Sequence, residues 1–140
     1  MTKRILLCDD EIHILRAAEF KFKRAGYQVF LAGDGEEAWE IIQRELPDLV
    51  VTDCQMPRLS GLGLAERMLQ HPETSEIPVL MLSGKGFELS ATELHQTYGI
   101  RALIGKPFSP RDLFQRVESF LGGEEHTAPV LAQSTCSQWL

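Results

Sequence analysis

The chain has 140 residues, 44% of them hydrophobic and 24% charged, which points to one soluble globular domain able to bury a core without staples. Lys and Arg total 14 against 20 Asp and Glu, a formal net charge of −6, and with no basic run longer than Lys3-Arg4 a direct nucleic-acid-binding surface is excluded. No apolar run spans a bilayer, the first apolar run is too short for a signal-peptide core, and an odd set of cysteines without zinc spacing (Cys8, Cys54, Cys136) fits a reducing compartment, the cytoplasm by default.

In chain order, Ile5-Leu6-Leu7-Cys8 is a continuous apolar run. Such runs suit strands covered on both faces of a parallel sheet. Ile12, Leu15, Ala18 and Phe22 then recur at helical steps, giving residues 11–25 an apolar face that Gly26 ends. Tyr27 to Ala32 reads as a second strand. Asp34 with Glu37 resembles a capping box for a helix through about Glu45. Leu49-Val50-Val51 is a third strand, and Leu62, Ala65, Met68 and Leu69 mark a third helix. Val79 to Leu82 is a fourth strand. Leu94 and Tyr98 mark a fourth helix, stopped by Gly99. Arg101 to Ile104 reads as a fifth strand, and its signal is the weakest. Ser109-Pro110 and Asp112 open a last helix, with Leu113, Val117, Phe120 and Leu121 as its buried stripe and Gly122-Gly123 as its end.

Strand and helix therefore alternate five times, which predicts an open, mostly parallel sheet with helices on both faces. Ligands of such sheets bind beyond the carboxyl ends of the strands. Polar residues gather at those ends: Asp9-Asp10-Glu11, Thr52-Asp53, Ser83-Gly84 and Gly105-Lys106-Pro107. Carboxylates Asp9, Asp10 and Asp53 at one crevice repel one another unless a cation sits among them, and few hard oxygen ligands suit Mg²⁺. Lys106 and Ser83 add a compact cation and a hydroxyl. Such a set stabilises a transferring phosphoryl group, and a carboxylate can be its nucleophile.

These residues resemble the receiver domains of two-component response regulators. The resemblance rests on Asp9-Asp10, Asp53 with Met56-Pro57 and Gly61, Ser83-Gly84, and Lys106-Pro107-Phe108, in order. It implies a flavodoxin-like (βα)5 three-layer α/β sandwich with strand order 2-1-3-4-5. A receiver domain would occupy residues 1–121, and a flexible tail 122–140. The resemblance further implies that Asp53 accepts phosphate from a sensor histidine kinase or phosphotransfer protein. Asp10, Asp53 and the backbone carbonyl of Gln55 would bind Mg²⁺ directly, and Asp9 through water. Lys106 would pair with Asp53 or its phosphoryl group, Ser83 would bond a phosphoryl oxygen, and the Lys106–Pro107 peptide would be cis. The expected output is contact with a downstream protein, as a monomer or a phosphorylation-dependent dimer.

Leu103 stands where the family often has an aromatic switch residue, and Gly84 where alanine is common. Phosphorylation is thus expected to rearrange the loop 83–88 more than residue 103. Gln55 and Lys85 occupy positions that influence phosphoryl lifetime in the family. Cys8 and Cys54 read as buried, inert thiols, the histidines as surface residues, and Trp39 as partly packed. Three other functions compete. An aspartyl phosphatase would carry a second Asp at position 55, where Gln55 stands. A flavin domain would not place three acidic residues after strand one. A docking module that takes no phosphate would not need the full acceptor set.

Overall fold

The computed structural model describes residues 2–84 and 90–122, and of Ala91 the backbone alone. Lys85, most of the loop 83–88 and the tail beyond Gly122 lie outside the described residues. Strands and helices alternate as β1 (Arg4–Cys8), α1 (Ile12–Arg24), β2 (Gln28–Ala32), α2 (Gly35–Glu45), β3 (Leu49–Asp53), α3 (Gly61–Leu69), β4 (Val79–Ser83), α4 (Ala91–Tyr98), β5 (Ile100–Gly105) and α5 (Pro110–Leu121). All pairings are parallel, in the order β2-β1-β3-β4-β5. The expected flavodoxin-like topology is therefore the one observed.

Alternate strand residues feed two cores. Ile5, Leu7, Val51, Leu80 and Leu82 pack against Leu15, Ala18 and Phe22 of α1 and Leu113, Val117 and Phe120 of α5. Leu6, Cys8, Val50 and Met81 pack against α2, α3 and α4 through Ala38, Ile42, Leu64, Met68 and Leu94. Burial of each large aliphatic or aromatic side chain stabilises the fold by about 1.5–3 kcal/mol. Trp39 is buried between α2 and α3, with the His71 ring 4.9 Å away and Arg67 above its face at 5.8 Å.

The last strand departs from simple alternation. Val79 pairs with Ile100 but Leu80 with Ala102, so β5 carries one extra residue, Arg101, at a bulge. Ile100 and Leu103, three apart, consequently both face the α2–α4 core. Leu103 is 4% exposed there, so the leucine packs as an ordinary core residue.

Helix ends follow local chemistry. Asp34 accepts from the Glu37 backbone N–H at 2.8 Å, while the Glu37 carboxylate accepts from Gly33 N–H, one residue before the position a capping box uses. Ser90 with Glu93 and Ser109 with Asp112 form complete boxes. Gly99 ends α4 in the left-handed region, as expected from sequence. Two expectations fail, both at helix ends, where less of the neighbouring structure covers the side chain. Ile12, the first residue of α1, is 52% exposed, and Leu121, the last residue of α5, is only partly buried.

Candidate functional site

The ends of β1, β3, β4 and β5 converge. Asp9, just past β1, is fully buried, and its backbone N–H donates to the Ala32 carbonyl at 3.1 Å. Its Oδ1 accepts from the Glu11 backbone N–H at 3.0 Å. That bond stands in at the start of α1, where Glu11 makes no side-chain cap. Asp53 closes β3 and is 8% exposed, whereas Asp10 is exposed. One oxygen from each of Asp9, Asp10 and Asp53 lies within 4.8 Å of the others.

Lys106 follows β5, and its peptide to Pro107 is cis, as the resemblance implies. Its Nζ donates to Asp53 Oδ2 at 3.1 Å and to Glu11 Oε1 at 3.2 Å. Asp9 Oδ2 is nearer still, at 2.9 Å. That contact is misaligned for a hydrogen bond, so it is a charge contact, and Asp9 Oδ2 is left buried without a donor. A buried carboxylate oxygen in this condition is expensive unless another cation satisfies it. The orphaned oxygen and the hard donors beside it fit a divalent ion.

The electrostatics follow from the crowding. Burial, then the Asp9 charge, push the Asp53 carboxyl above the usual carboxylate range, and these outweigh Lys106 and the Gln55 backbone N–H. Burial alone would lower the Lys106 ammonium, but Asp9 and Asp53 together hold it above its ordinary value. The two directions agree, because a single cation shared among several carboxylates leaves excess negative charge. Cys8 and Cys54 are both buried, and burial pushes both thiols up. Neither has the thiolate character that reactivity needs.

The structure thus brings Asp9, Asp10, Asp53 and Lys106 together. Ser83 ends β4 next to β3 and is 6% exposed. Its carbonyl accepts from the Lys106 backbone N–H at 2.7 Å, so the ends of β4 and β5 are tied. Gln55 is exposed beside Asp53. His13, His71 and His95 are exposed, as expected.

Two glycines fix the loop after Asp53. A Cβ on Gly61 would sit 2.0 Å from the Asp53 carbonyl oxygen, and one on Gly35 would sit 1.9 Å from the Leu59 carbonyl oxygen. Only glycine lets the start of α2 meet the loop at Leu59, and the start of α3 meet the end of β3, this closely. Glu11 is the site residue that sequence reasoning left without a role. Its one signal was adjacency to the acidic pair, since its partner Lys106 is 95 positions away.

A family model for the response regulator receiver domain matches residues 5–118. A probable transcriptional regulator, ycf27, of Cyanophora paradoxa is 40% identical over 95% of this chain and 53% of its own. The alkaline phosphatase synthesis transcriptional regulatory protein PhoP of Bacillus subtilis is 37% identical over 92% of this chain and 52% of its own. The chain spans about half the length of these relatives. Among solved structures, a response regulator of Chloroflexus aurantiacus superposes with a TM-score of 0.76 at 34% identity, over 87% of this chain and 99% of that one. The chemotaxis response regulator CheY4 of Vibrio cholerae gives 0.76 at 25% identity, over 84% and 98%.

Proposed function

This chain belongs to the response regulator receiver domain family, and from that premise we propose that Asp53 is the phosphoryl acceptor of a two-component switch. The observation that carries this reading is Lys106 Nζ, bonded to Asp53 Oδ2 at 3.1 Å beside the orphaned Asp9 Oδ2. An Asp53 carboxylate oxygen attacks the phosphorus of a phosphohistidine, the bond to the imidazole nitrogen breaks, and the freed imidazole takes a proton. Lys106 follows the developing charge on the phosphoryl oxygens, and the Ser83 hydroxyl donates to one of them. Asp10, Asp53 and the Gln55 carbonyl would hold Mg²⁺ directly, with Asp9 reaching it through water. Bound there, Mg²⁺ neutralises charge on the transferring group.

The receiver unit is residues 1–121, fed by a sensor histidine kinase or phosphotransfer protein in the cytoplasm. Because Leu103 is packed, output runs through Ser83 and α4 to a downstream protein. The relatives above carry names of transcriptional regulators, and that activity is theirs as whole proteins. Among the described residues no helix is long and apolar enough to cross a membrane.

The test is incubation with acetyl phosphate and Mg²⁺ followed by intact-mass measurement. One added phosphoryl group, lost in Asp53→Asn, is expected. No gain from any phosphodonor would overturn the reading.

A further inference from the structure

Lys106 Nζ lies within 3.2 Å of three carboxylates, donating to Asp53 and Glu11 and meeting Asp9 as a charge contact. An incoming phosphoryl oxygen draws Lys106 fully to itself only as the surrounding carboxylates give it up. Asp9 is fully buried, with a side-chain exposure of 0%, and parting it from its cation would strand a buried charge. Asp53 carries the phosphoryl group, so its bond to Lys106 passes to that group. Glu11 is different, because its side chain is 48% exposed and water can take over its charge.

We propose that Glu11 is a positioning residue that holds Lys106 in the resting site and competes with the phosphoryl group for it. The inference rests on Asp53 being the acceptor. Glu11 then sets the grip on phosphate without touching it. Glu11 also stands outside the group of carboxylates that could share a metal ion. Its effect is therefore separable from metal ligation.

The experiment is calorimetric titration with beryllofluoride in the presence of Mg²⁺, on the whole chain. The variants are Glu11→Gln, which removes the charge, and Glu11→Asp, which keeps the charge but falls one methylene short of Lys106. Both should bind beryllofluoride tighter than the wild type, by about two- to five-fold, the range of a half-exposed ion pair. Thermal unfolding without metal should be nearly unchanged, which a merely structural role would not give. Tightening in Glu11→Gln alone would reduce Glu11 to a distant charge and overturn the proposal. Equal affinity in all three proteins would overturn it as well. If the wild type neither binds beryllofluoride nor takes phosphate from acetyl phosphate, the acceptor reading falls and the proposal with it.

Discussion

Replacing Gly61 by alanine tests how firmly the loop after Asp53 is clamped. The added Cβ would meet the Asp53 carbonyl oxygen at 2.0 Å, its carbonyl carbon at 3.0 Å and the Cys54 Cα at 3.2 Å. A carbon normally approaches a carbonyl oxygen no closer than about 3.3 Å. Roughly 1.3 Å of backbone movement is thus required, between a buried strand end and the first turn of α3. Overpacking of this kind costs about 1–3 kcal/mol. Stretching the 2.9 Å bond from Gly61 N–H to the Cys54 carbonyl adds roughly 0.5–1.5 kcal/mol. Better helix propensity returns at most about 1 kcal/mol. The net loss is about 2–3 kcal/mol, a fall in Tm of roughly 10 °C for a domain of this size. Thermal and urea denaturation of Gly61→Ala measure it. Gly84→Ala is the comparison, since no described atom lies within 4 Å of its Cβ, and it should be neutral or slightly stabilising. If Gly61→Ala unfolds within about 2 °C of the wild type, the clamp does not exist as described.

Three other outcomes are expected. Asp53→Asn should raise metal-free stability at neutral pH, on the order of 1 kcal/mol. A carboxyl raised in the fold contributes stability below its unfolded value and loses it as pH rises through the folded one, so at pH 7 ionised Asp53 is a burden. A lower Tm for this variant in a chelator would contradict that. Leu46 ends α2 in the left-handed region at φ 46° and is 47% exposed. Leu46→Gly should therefore stabilise by about 1 kcal/mol in urea unfolding. Burial, with the Glu118 carboxylate accepting its hydrogen bond, pushes the Tyr27 phenol up to about 12. Tyrosinate absorbance should show this titration vanish in Tyr27→Phe. The associated stability is present below the unfolded value near 10 and is lost as pH climbs toward 12.

The elements legible in the sequence were those whose pattern is local. The runs at residues 5–8, 49–51 and 79–82 are apolar without a break because both faces of the sheet are covered, and each is a strand. The fifth strand read weakly for a physical reason: the extra residue at Arg101 breaks its alternation. The left-handed end of α2 at Leu46 carried no glycine to announce it. Ile12 matched the helical period but is the first residue of α1 and stays exposed. The gathering of Asp9, Asp53, Ser83 and Lys106 followed from strand ends alone. The contact between Glu11 and Lys106 did not, because side-chain reach across the mouth is set by tertiary packing.

The hydrogen bond from Lys106 N–H to the Ser83 carbonyl has a mechanical consequence. The Asp53 side of the mouth is a fixed jaw, with no slack where Gly35 meets Leu59 or where Gly61 meets the end of β3. The opposite side is a yoke, in which Lys106 and Ser83 share one 2.7 Å backbone link. A pull on either is delivered to both. Along the same strand pair lies Leu103, in register with Met81, and both are buried in the core that α4 shares.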